Sequence, residues 1–303
     1  MKGIIVENIS NLYRVKIIEK SSEANGKIYE ANARGKFKKD DITPVVGDFV
    51  ECEVVKEDKE KDRVSIDKIL DRKVYIKRPK LANISQIILV VSSKHPKPDL
   101  LMLDKQLVFA EFLGIQALIV LNKIDLDKDK SFKEIKRVYE KVGYKVIETE
   151  AKVGKGIDKL RKELYGNTNA FSGNSGVGKS TLINAIFGKD MAQEGEISKK
   201  SRKGKNTTTS TKLYEIDEGT YIADTPGFST FDISEIESKN LASYFKEFRD
   251  YIPDCEFVGC THIKEENCGI KNAITEGRIK QERYDRFCKI YQELREKEER
   301  KKW

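Results

Sequence analysis

The chain has 303 residues, of which 36% are charged and 38% hydrophobic, and its formal net charge is +8. The length is typical of about two domains, and the hydrophobic content excludes a globally disordered chain. The longest apolar runs, 87–91 and 117–121, are far shorter than the roughly 20 residues of a transmembrane helix. Five cysteines do not make a disulfide framework. With no signal-peptide pattern at the N-terminus, we expect a cytoplasmic protein.

Charge is unevenly distributed along the chain. Residues 213–276 contain five basic and fourteen acidic residues, whereas 199–205 and 277–303 are basic. Basic segments beside an acidic one favour a polyanionic partner, although a solvated lysine-rich surface would give the same counts. Residues 199–205 and the helix predicted over 277–303 are therefore our candidates for RNA contact, which would weaken with salt.

The first 76 residues predict a small β-domain. Short β-rich runs at 4–6, 15–18, 48–55 and 64–69 are separated by glycines and polar turns. About five strands of this kind are typical of a small barrel, and the OB-fold is a good candidate.

Residues 77–236 predict a second domain, and 237–303 a third. Strands expected at 87–91, 115–121, 144–147 and 169–172 alternate with helices expected at 100–113, 131–142 and 157–164. Alternation of this kind indicates an α/β domain with a parallel sheet covered on both faces. The third domain is helical, and its last helix carries an apolar stripe of Tyr284, Phe287, Cys288, Tyr291 and Leu294.

A phosphate-binding loop is predicted between the last of these strands and a helix. The sequence GNSGVGKS at 173–180 matches G-x-x-x-x-G-K-[ST] in the context that the motif requires. Backbone N–H groups at the start of a helix favour phosphate oxygens, while Lys179 would reach the β- and γ-phosphates and Ser180 would ligate Mg²⁺. The predicted contacts are Gly173, Asn174, Ser175, Gly176, Val177, Gly178, Lys179, Ser180 and Thr181.

Guanine specificity is predicted by a second motif. Asn122, Lys123, Ile124 and Asp125 form N-K-x-D directly after a strand, and the Asp125 carboxylate could accept the N1–H and 2-amino hydrogens of guanine, a donor pair that adenine lacks. The motif alone would also suit an ordinary turn. Glu150-Ala151-Lys152 follows the next strand, where GTP-binding proteins usually have Ser-Ala-Lys; Ala151 and Lys152 are candidate base contacts.

Metal and switch residues follow the phosphate loop. Asp224, in the DTPG sequence at 224–227, would support Mg²⁺, and the Gly227 N–H would contact the γ-phosphate. One threonine of Thr207, Thr208 and Thr209 would close over the metal, unless the run is simply a polar loop.

The order of these motifs is rotated, because N-K-x-D precedes the phosphate loop instead of following the DTPG sequence. A parallel sheet tolerates such a rotation, since neighbouring strands need not be neighbours in sequence. Phe228 occupies the position after DTPG, where many GTPases have a glutamine that orients the attacking water. A phenyl ring cannot do this, so we expect slow intrinsic hydrolysis that a partner accelerates.

A metal site is predicted by the spacing C-x4-C-x-H-x5-C. Cys255, Cys260, His262 and Cys268 supply three thiolates and one imidazole, which is a closed tetrahedral set for one structural Zn²⁺. No ligand position remains open for catalysis, so the ion would serve to fold the third domain.

These motifs together resemble the ribosome small-subunit-dependent GTPase A family, whose members are circularly permuted GTPases of late ribosome assembly. The carriers are NKID, GNSGVGKST, NTTT, DTPGF and the zinc spacing. The resemblance implies an OB-fold that contacts ribosomal RNA, a G domain stimulated by the small ribosomal subunit, and a zinc domain that docks on the same particle. The family usually has Gly-Arg-His before its threonines. Asn206 replaces that histidine here and can position a water but cannot act as a general base near pH 7.

Two alternatives stay open. Phe228 and Asn206 would also suit a GTP-gated rRNA-binding scaffold with negligible hydrolysis, whereas a metabolic P-loop kinase is disfavoured by NKID at 122–125. The expected partners are GTP or GDP with Mg²⁺, and the small ribosomal subunit with its rRNA; we expect a monomer that does not associate with membranes.

Overall fold

The computed structural model describes residues 1–9, 12–34, 37, 43–55, 63–188, 211–224 and 232–300. Its strands are β1 (Lys2–Ile9), β2 (Leu12–Ile17), β3 (Ile28–Ala33), β4 (Phe49–Val55), β5 (Arg63–Ile69), β6 (Tyr75–Lys77), β7 (Lys80–Ala82), β8 (Gln86–Ser92), β9 (Gln116–Asn122), β10 (Lys145–Thr149), β11 (Thr168–Ser172), β12 (Lys212–Asp217) and β13 (Thr220–Asp224). The α-helices are α1 (Leu100–Leu113), α2 (Phe132–Lys141), α3 (Ile157–Leu164), α4 (179–188), α5 (Gly269–Thr275) and α6 (Gln281–Arg300). None of the helices in these ranges is long and apolar enough to cross a membrane.

The chain divides into two compact units. The first comprises Met1–Gln86, Arg161–Phe171 and Ile186–Phe228, and the second comprises Ile87–Leu160, Ser172–Ala185 and Ser229–Trp303. The three-domain division at residues 76 and 236 stays a prediction.

A five-stranded barrel occupies the N-terminal part of the first unit. Its strands follow the order β1-β2-β3-β5-β4, and β4 pairs back with β1 to close the circle. All pairings are antiparallel except β3 with β5. Alternate side chains such as Val15, Ile17, Val50 and Ile66 fill the interior and are fully buried, as expected for strands with one buried face. The predicted OB-like barrel is confirmed.

The same unit contains the last strands of the G-domain sequence. β12 and β13 form an antiparallel hairpin with Gly219 at φ +70° in the turn, and β13 runs parallel to β11. β12 also pairs with β1 at Lys212 and Glu7. β11, which precedes the predicted phosphate loop, and β13, which ends at Asp224 of the predicted metal motif, are therefore neighbours.

The second unit contains β8, β9 and β10 as adjacent strands. β9 and β10 are parallel, with Asn122 opposite Thr149 at their carboxyl ends. Every residue of β8 is buried, which is typical of a strand with both faces covered. α1 begins at the cap Asp99, whose side chain accepts a hydrogen bond from the Met102 N–H at 2.9 Å, and the chain leaves α1 through Gly114. The segments that follow β9 and β10 therefore begin at the same edge of the sheet, the edge at which α/β proteins bind ligands.

The C-terminal part of the second unit packs around three aromatic rings. Phe245, Phe248 and Phe287 have ring centroids 5.0–5.3 Å apart, within the range of favourable aromatic pairs. Phe287 and Leu294 of the predicted stripe on α6 are buried, but Cys288 and Tyr291 are only half-buried. The buried face instead includes Ile290 and Arg283, because the ion pairs described below allow an arginine to face the core.

Candidate nucleotide site and metal centre

The predicted phosphate loop follows β11 and leads into α4. Two of its glycines are required by close contacts. Gly173 has φ +144°, and a Cβ there would lie 2.2 Å from the Val90 carbonyl oxygen. Gly178 has φ +100°, and a Cβ there would lie 2.3 Å from Nδ2 of Asn122. Only glycine has room for this turn and tolerates these backbone angles.

Lys179 folds back across the phosphate loop. Its ammonium donates to the carbonyl oxygens of Gly173 at 2.5 Å and Asn174 at 2.9 Å. The side chain is half-buried, and desolvation lowers its pKa, because a partly buried ammonium is less stable than a hydrated one. A bound phosphate would stabilise the charged form of Lys179. Ser180 and Thr181, in the first turn of α4, are exposed.

Asn122 connects three of the predicted motifs. It is 1% exposed, and its Nδ2 donates to the Val177 carbonyl oxygen at 2.9 Å. Its Oδ1 accepts from Thr149 Oγ1 at 3.0 Å and from the Ala151 N–H at 3.3 Å. A buried amide with both ends paired stabilises one geometry. The guanine motif, the phosphate loop and the loop after β10 are thus held together.

Lys123 adds a second connection between the same loops. Its backbone is left-handed, at φ +61°, and its ammonium donates to the carbonyl oxygens of Gly176 at 2.6 Å and His95 at 2.8 Å. The aliphatic stem of Lys123 is half-buried, while Asp125 and Lys152 are exposed. An exposed carboxylate beside a fixed lysine is accessible to a base.

The remaining switch predictions fall on two segments of the chain. Asp224 ends β13 and is half-buried. The other predicted residues lie outside the described ranges, and they are Asn206, Thr207, Thr208, Thr209, Gly227 and Phe228, together with the basic segment 199–205.

The four predicted metal ligands converge. One ligand atom from each of Cys255, Cys260, His262 and Cys268 lies within 4.8 Å of the others. Nδ1 of His262 is 3.5 Å from the Cys255 sulfur and 3.4 Å from the Cys268 sulfur, and those sulfurs are 3.9 Å apart. Tetrahedral zinc with bonds of about 2.3 Å to sulfur and about 2.0 Å to nitrogen would separate its ligands by roughly 3.4–3.8 Å. The donor set and its spacing therefore fit Zn²⁺.

Burial acts on the protonation of these ligands. Desolvation raises the pKa of Cys260 to about 12 and also raises that of Cys268, so both thiols prefer the neutral form without a nearby cation. Desolvation lowers the pKa of His262, which favours the neutral imidazole that a metal needs. A divalent cation would deprotonate the thiols and couple its binding to folding.

The loop that carries His262 is fixed by two further side chains. Tyr284 Oη donates to the His262 carbonyl oxygen at 2.7 Å, and His262 itself has φ +62°. The Glu265 carboxylate accepts from the N–H of Thr261 at 2.9 Å and from the N–H of Ile263 at 3.1 Å. Burial alone would raise the pKa of Glu265, but these hydrogen bonds outweigh it and hold the pKa at about 2. Contacts of this kind orient metal ligands.

Known proteins resemble this chain over its whole length. Residues 69–234 match the family described as RsgA GTPase, and residues 2–60 match the RsgA N-terminal domain. The chain belongs to the RsgA GTPase family. It is 40% identical to the Small ribosomal subunit biogenesis GTPase RsgA of Clostridium botulinum (strain Loch Maree / Type A3) over 303 residues, covering 100% of both chains. A relative with the same name from Agathobacter rectalis is 39% identical, covering 98% of this chain and 99% of its own.

Solved structures extend the RsgA-family match to the fold. YjeQ from Thermotoga maritima superimposes with a TM-score of 0.81 at 36% identity, covering 97% of this chain and 98% of its own. YloQ, described as a circularly permuted GTPase, gives 0.80 at 31% identity, covering 97% and 95%. The predicted family, the OB-like barrel, the circularly permuted GTPase domain and the GTP hydrolase class are confirmed.

The loop that contains Pro96 and Asp99 packs on the predicted phosphate loop, a contact that the sequence did not predict. Asp99 accepts from the Asn174 side-chain amide at 3.2 Å while it caps α1. Pro96 lies next to Gly176, since a Cβ at that glycine would be 3.8 Å from the proline ring. An Asp before a helical run is a capping signal, but nothing in the sequence shows that the cap also contacts a phosphate loop.

Sequence reasoning also missed a buried ion network in the second unit. Arg283 of α6 pairs with Asp104 of α1 and with Glu247, and both arginine and aspartate are at most 2% exposed. Arg286 pairs with the other oxygen of Asp104, and Tyr139 Oη donates to Asp104 at 2.6 Å. Burial of charges requires this degree of pairing. The network joins the last helix to α1, whose Gln106 donates to Ser172 at 2.9 Å, directly before the phosphate loop.

Proposed function

We propose that this chain binds GTP at the edge formed by the phosphate and guanine loops and hydrolyses it when bound to the small ribosomal subunit. Hydrolysis would be coupled to late maturation of that particle and to release of the protein. The observation that supports the proposal is the pairing of Asn122 with Val177, Thr149 and Ala151, because these hydrogen bonds connect the three segments predicted to bind the nucleotide. The relatives' name, Small ribosomal subunit biogenesis GTPase, supports the choice of partner.

The proposed base contacts come from the guanine loop. Asp125 would accept two hydrogen bonds from guanine, the stem of Lys123 would pack over the ring, and Ile124 would shape the loop between them. The Ala151 N–H already donates to Asn122 at 3.3 Å, a long bond that guanine would share or displace. Lys152 would lie over the opposite face of the base.

The phosphate contacts come from the phosphate loop. Backbone N–H groups of residues 173–181 would bind the β- and γ-oxygens, and Lys179 would move from its carbonyl partners to them. Magnesium, when bound, would neutralise developing phosphate charge, and Ser180 is the loop residue that would hold it. From the sequence motifs we extend the proposal to Asp224, Thr207 or Thr208 as metal supports and Gly227 as a γ-phosphate contact.

The metal centre has a structural role in this proposal. Cys255, Cys260, His262 and Cys268 would hold one Zn²⁺, which supplies folding energy to the C-terminal part of the second unit. The basic segments at 199–205 and 277–303 would contact rRNA, and the protein would act as a cytoplasmic monomer without membrane association.

A second function is favoured by two sequence positions. Phe228 and Asn206 replace groups that could orient or activate water. If the particle supplies no group that orients or activates the attacking water, the chain would be a GTP-gated rRNA-binding scaffold with negligible hydrolysis.

GTP turnover measured alone and with purified small subunits, at two salt concentrations, tests the proposal. We expect strong stimulation by the particle that weakens as salt rises, since phosphate contacts release counterions. Lys179→Met should abolish stimulated turnover, whereas Lys159→Met, on the exposed side of α3, should not change it. Tight GTP-dependent binding without stimulation would favour the scaffold, and absence of binding would reject both functions.

A further inference from the structure

We propose that residues 256–259, here called the zinc-loop tip, dock on a basic protein of the small ribosomal subunit and not on its RNA. The inference rests on the proposed function, since it assumes that the particle is the partner. The proposed partner is positively charged, whereas the basic segments 199–205 and 277–303 are proposed to contact negatively charged RNA.

The zinc-loop tip presents two apolar side chains to solvent. Phe257 is 58% exposed and Val258 is fully exposed. They stand in a turn in which the Cys260 N–H donates to the Phe257 carbonyl oxygen at 3.2 Å and Gly259 has φ +82°. Side chains this exposed contribute little to the core, and an exposed apolar patch with polar residues around it marks an interaction site.

Metal binding would hold the tip rigid, because predicted ligands flank it on both sides. Cys255 precedes it and Cys260 follows it, and both belong to the converging ligand set. A second tie comes from Glu256, whose N–H donates to the Asn267 carbonyl oxygen at 3.2 Å and whose carboxylate accepts from the Asn267 side chain at 2.7 Å. A preorganised turn loses little conformational entropy on binding, so two side chains can contribute usefully to affinity.

The exposed charges of residues 250–267 favour a basic partner. All residues from 250 to 267 are described, and the exposed charged residues among them are Asp250, Asp254, Glu256 and Glu266, against Lys264. The Asn267 contacts place Glu266 on the chain segment beside Glu256. A mostly acidic segment that carries an exposed apolar pair complements a basic protein surface with an apolar patch.

RNA is the competing partner for an exposed aromatic ring. Phe257 could stack on an unpaired base, but stacking platforms for RNA lie in positively charged grooves that follow the phosphates. Acidic side chains at this site would repel the phosphates of RNA but attract a basic protein. The two partners therefore predict opposite effects of a charge reversal.

A charge reversal at Glu266 gives the first test. Glu266→Lys is compared with Glu218→Lys, which makes the same change on the exposed turn between β12 and β13. The affinity of each full-length, zinc-loaded variant for purified small subunits is measured with a non-hydrolysable GTP analogue bound. We expect Glu266→Lys to weaken binding by about threefold or more and Glu218→Lys to leave it unchanged. Tighter binding of Glu266→Lys would indicate RNA and overturn the proposal, as would an unchanged affinity.

Photo-crosslinking identifies what the tip touches. With p-benzoylphenylalanine in place of Val258, the bound complex is irradiated and digested with ribonuclease or with protease. We expect a crosslinked product that survives ribonuclease and contains a ribosomal protein. A crosslink to rRNA overturns the proposal. The proposal is also overturned if the protein co-sediments with the particle but forms no crosslink.

Truncation of the apolar pair completes the test. The double variant Phe257→Ser with Val258→Ser should weaken particle binding about tenfold with unchanged zinc content and GTP affinity. Particle binding that is equal to that of the unaltered chain overturns the docking role alone. Failure of the unaltered chain to bind the particle overturns the proposed function and this inference with it.

Discussion

The side-chain amide of Asn122 donates a 2.9 Å hydrogen bond to the main-chain carbonyl oxygen of Val177, 55 positions further along the chain. Asn122 ends β9 at the start of the predicted guanine motif, and Val177 lies in the predicted phosphate loop. A buried amide that loses its acceptor leaves an unsatisfied donor, which destabilises by about 1–3 kcal/mol. The shape of the loop proposed to bind the base therefore depends in part on the shape of the proposed phosphate loop.

Gly178→Ala should disrupt this pairing. The new Cβ would lie 2.3 Å from Nδ2 of Asn122, so the Asn122 side chain would have to move. Gly143→Ala is the matched control, because Gly143 has φ +95° and nothing within 4 Å of a Cβ. We expect each variant to lose about 1–2 kcal/mol of unfolding free energy from backbone strain. Gly178→Ala should lose about 1–3 kcal/mol more because the buried Asn122 amide loses its acceptor, and it alone should lose GTP affinity, by about 100-fold. Denaturant unfolding and nucleotide titration measure both effects, and equal GTP affinities would show that the contact is dispensable.

Asp125→Asn should change which base the chain binds. An amide in place of the carboxylate offers a donor where the guanine 2-amino group needs an acceptor, so GTP affinity should fall at least about tenfold. Xanthosine triphosphate carries a carbonyl at that position and should bind the variant better than it binds the unaltered chain. Competition binding with the two nucleotides gives the result, with Asp158→Asn on the exposed first turn of α3 as the control. A parallel loss for both nucleotides would argue that Asp125 does not contact the base.

Glu265→Gln should accelerate loss of zinc. The ionised carboxylate accepts hydrogen bonds from Thr261, Ile263 and Lys264, and its pKa is held at about 2 against an ordinary 4.5. Its stabilisation is complete above pH 4.5 and is lost as the pH falls through about 2, because protonation removes the charge that these N–H groups favour. At pH 7 the variant should transfer zinc to a chelator several times faster than Glu266→Gln, whose exposed carboxylate is the control. Equal rates would remove Glu265 from the support of the metal loop.

Arg283→Met should destabilise the second unit strongly. Removing the arginine takes one of two cations from buried Asp104, which keeps Arg286, and removes both contacts of Arg283 to Glu247. Breaking a buried pair in this way typically costs about 3–5 kcal/mol. Arg295→Met removes an exposed arginine from the same helix and should change stability by less than about 1 kcal/mol. Arg283→Lys should lie between them, since lysine keeps the charge but cannot make both contacts to Glu247. Unfolding midpoints that rank otherwise would mean that the network does not contribute to stability.

Motifs whose residues are close in sequence could be predicted. The phosphate loop, the guanine loop and the Cys-His spacing each place their chemistry within a few residues, and the strands and helices around them follow from apolar periodicity. The barrel could be predicted as about five short strands, but the parallel pairing of β3 with β5 could not, because strand order depends on contacts between distant segments.

Arg283 shows why the rest could not be predicted. The buried positions 283, 287, 290 and 294 of α6 follow helical spacing as well as the predicted stripe does, yet an arginine at the first of them indicates a polar face. Its burial depends on Asp104, 179 residues earlier. The contact of Asp99 with Asn174 spans 75 residues, and it too depends on tertiary packing that leaves no local signal.

The long separation of Asp104 from its arginines also sets an order of events during synthesis. A chain made from its N-terminus completes α1 well before α6, and Asp104 then has the Tyr139 hydroxyl as a partner but neither Arg283 nor Arg286. The buried carboxylate gains its cations only when the final helix leaves the ribosome. A chain truncated before α6 therefore lacks both cations that allow Asp104 to be buried, and incomplete translation products should be poor at folding and readily degraded by proteases.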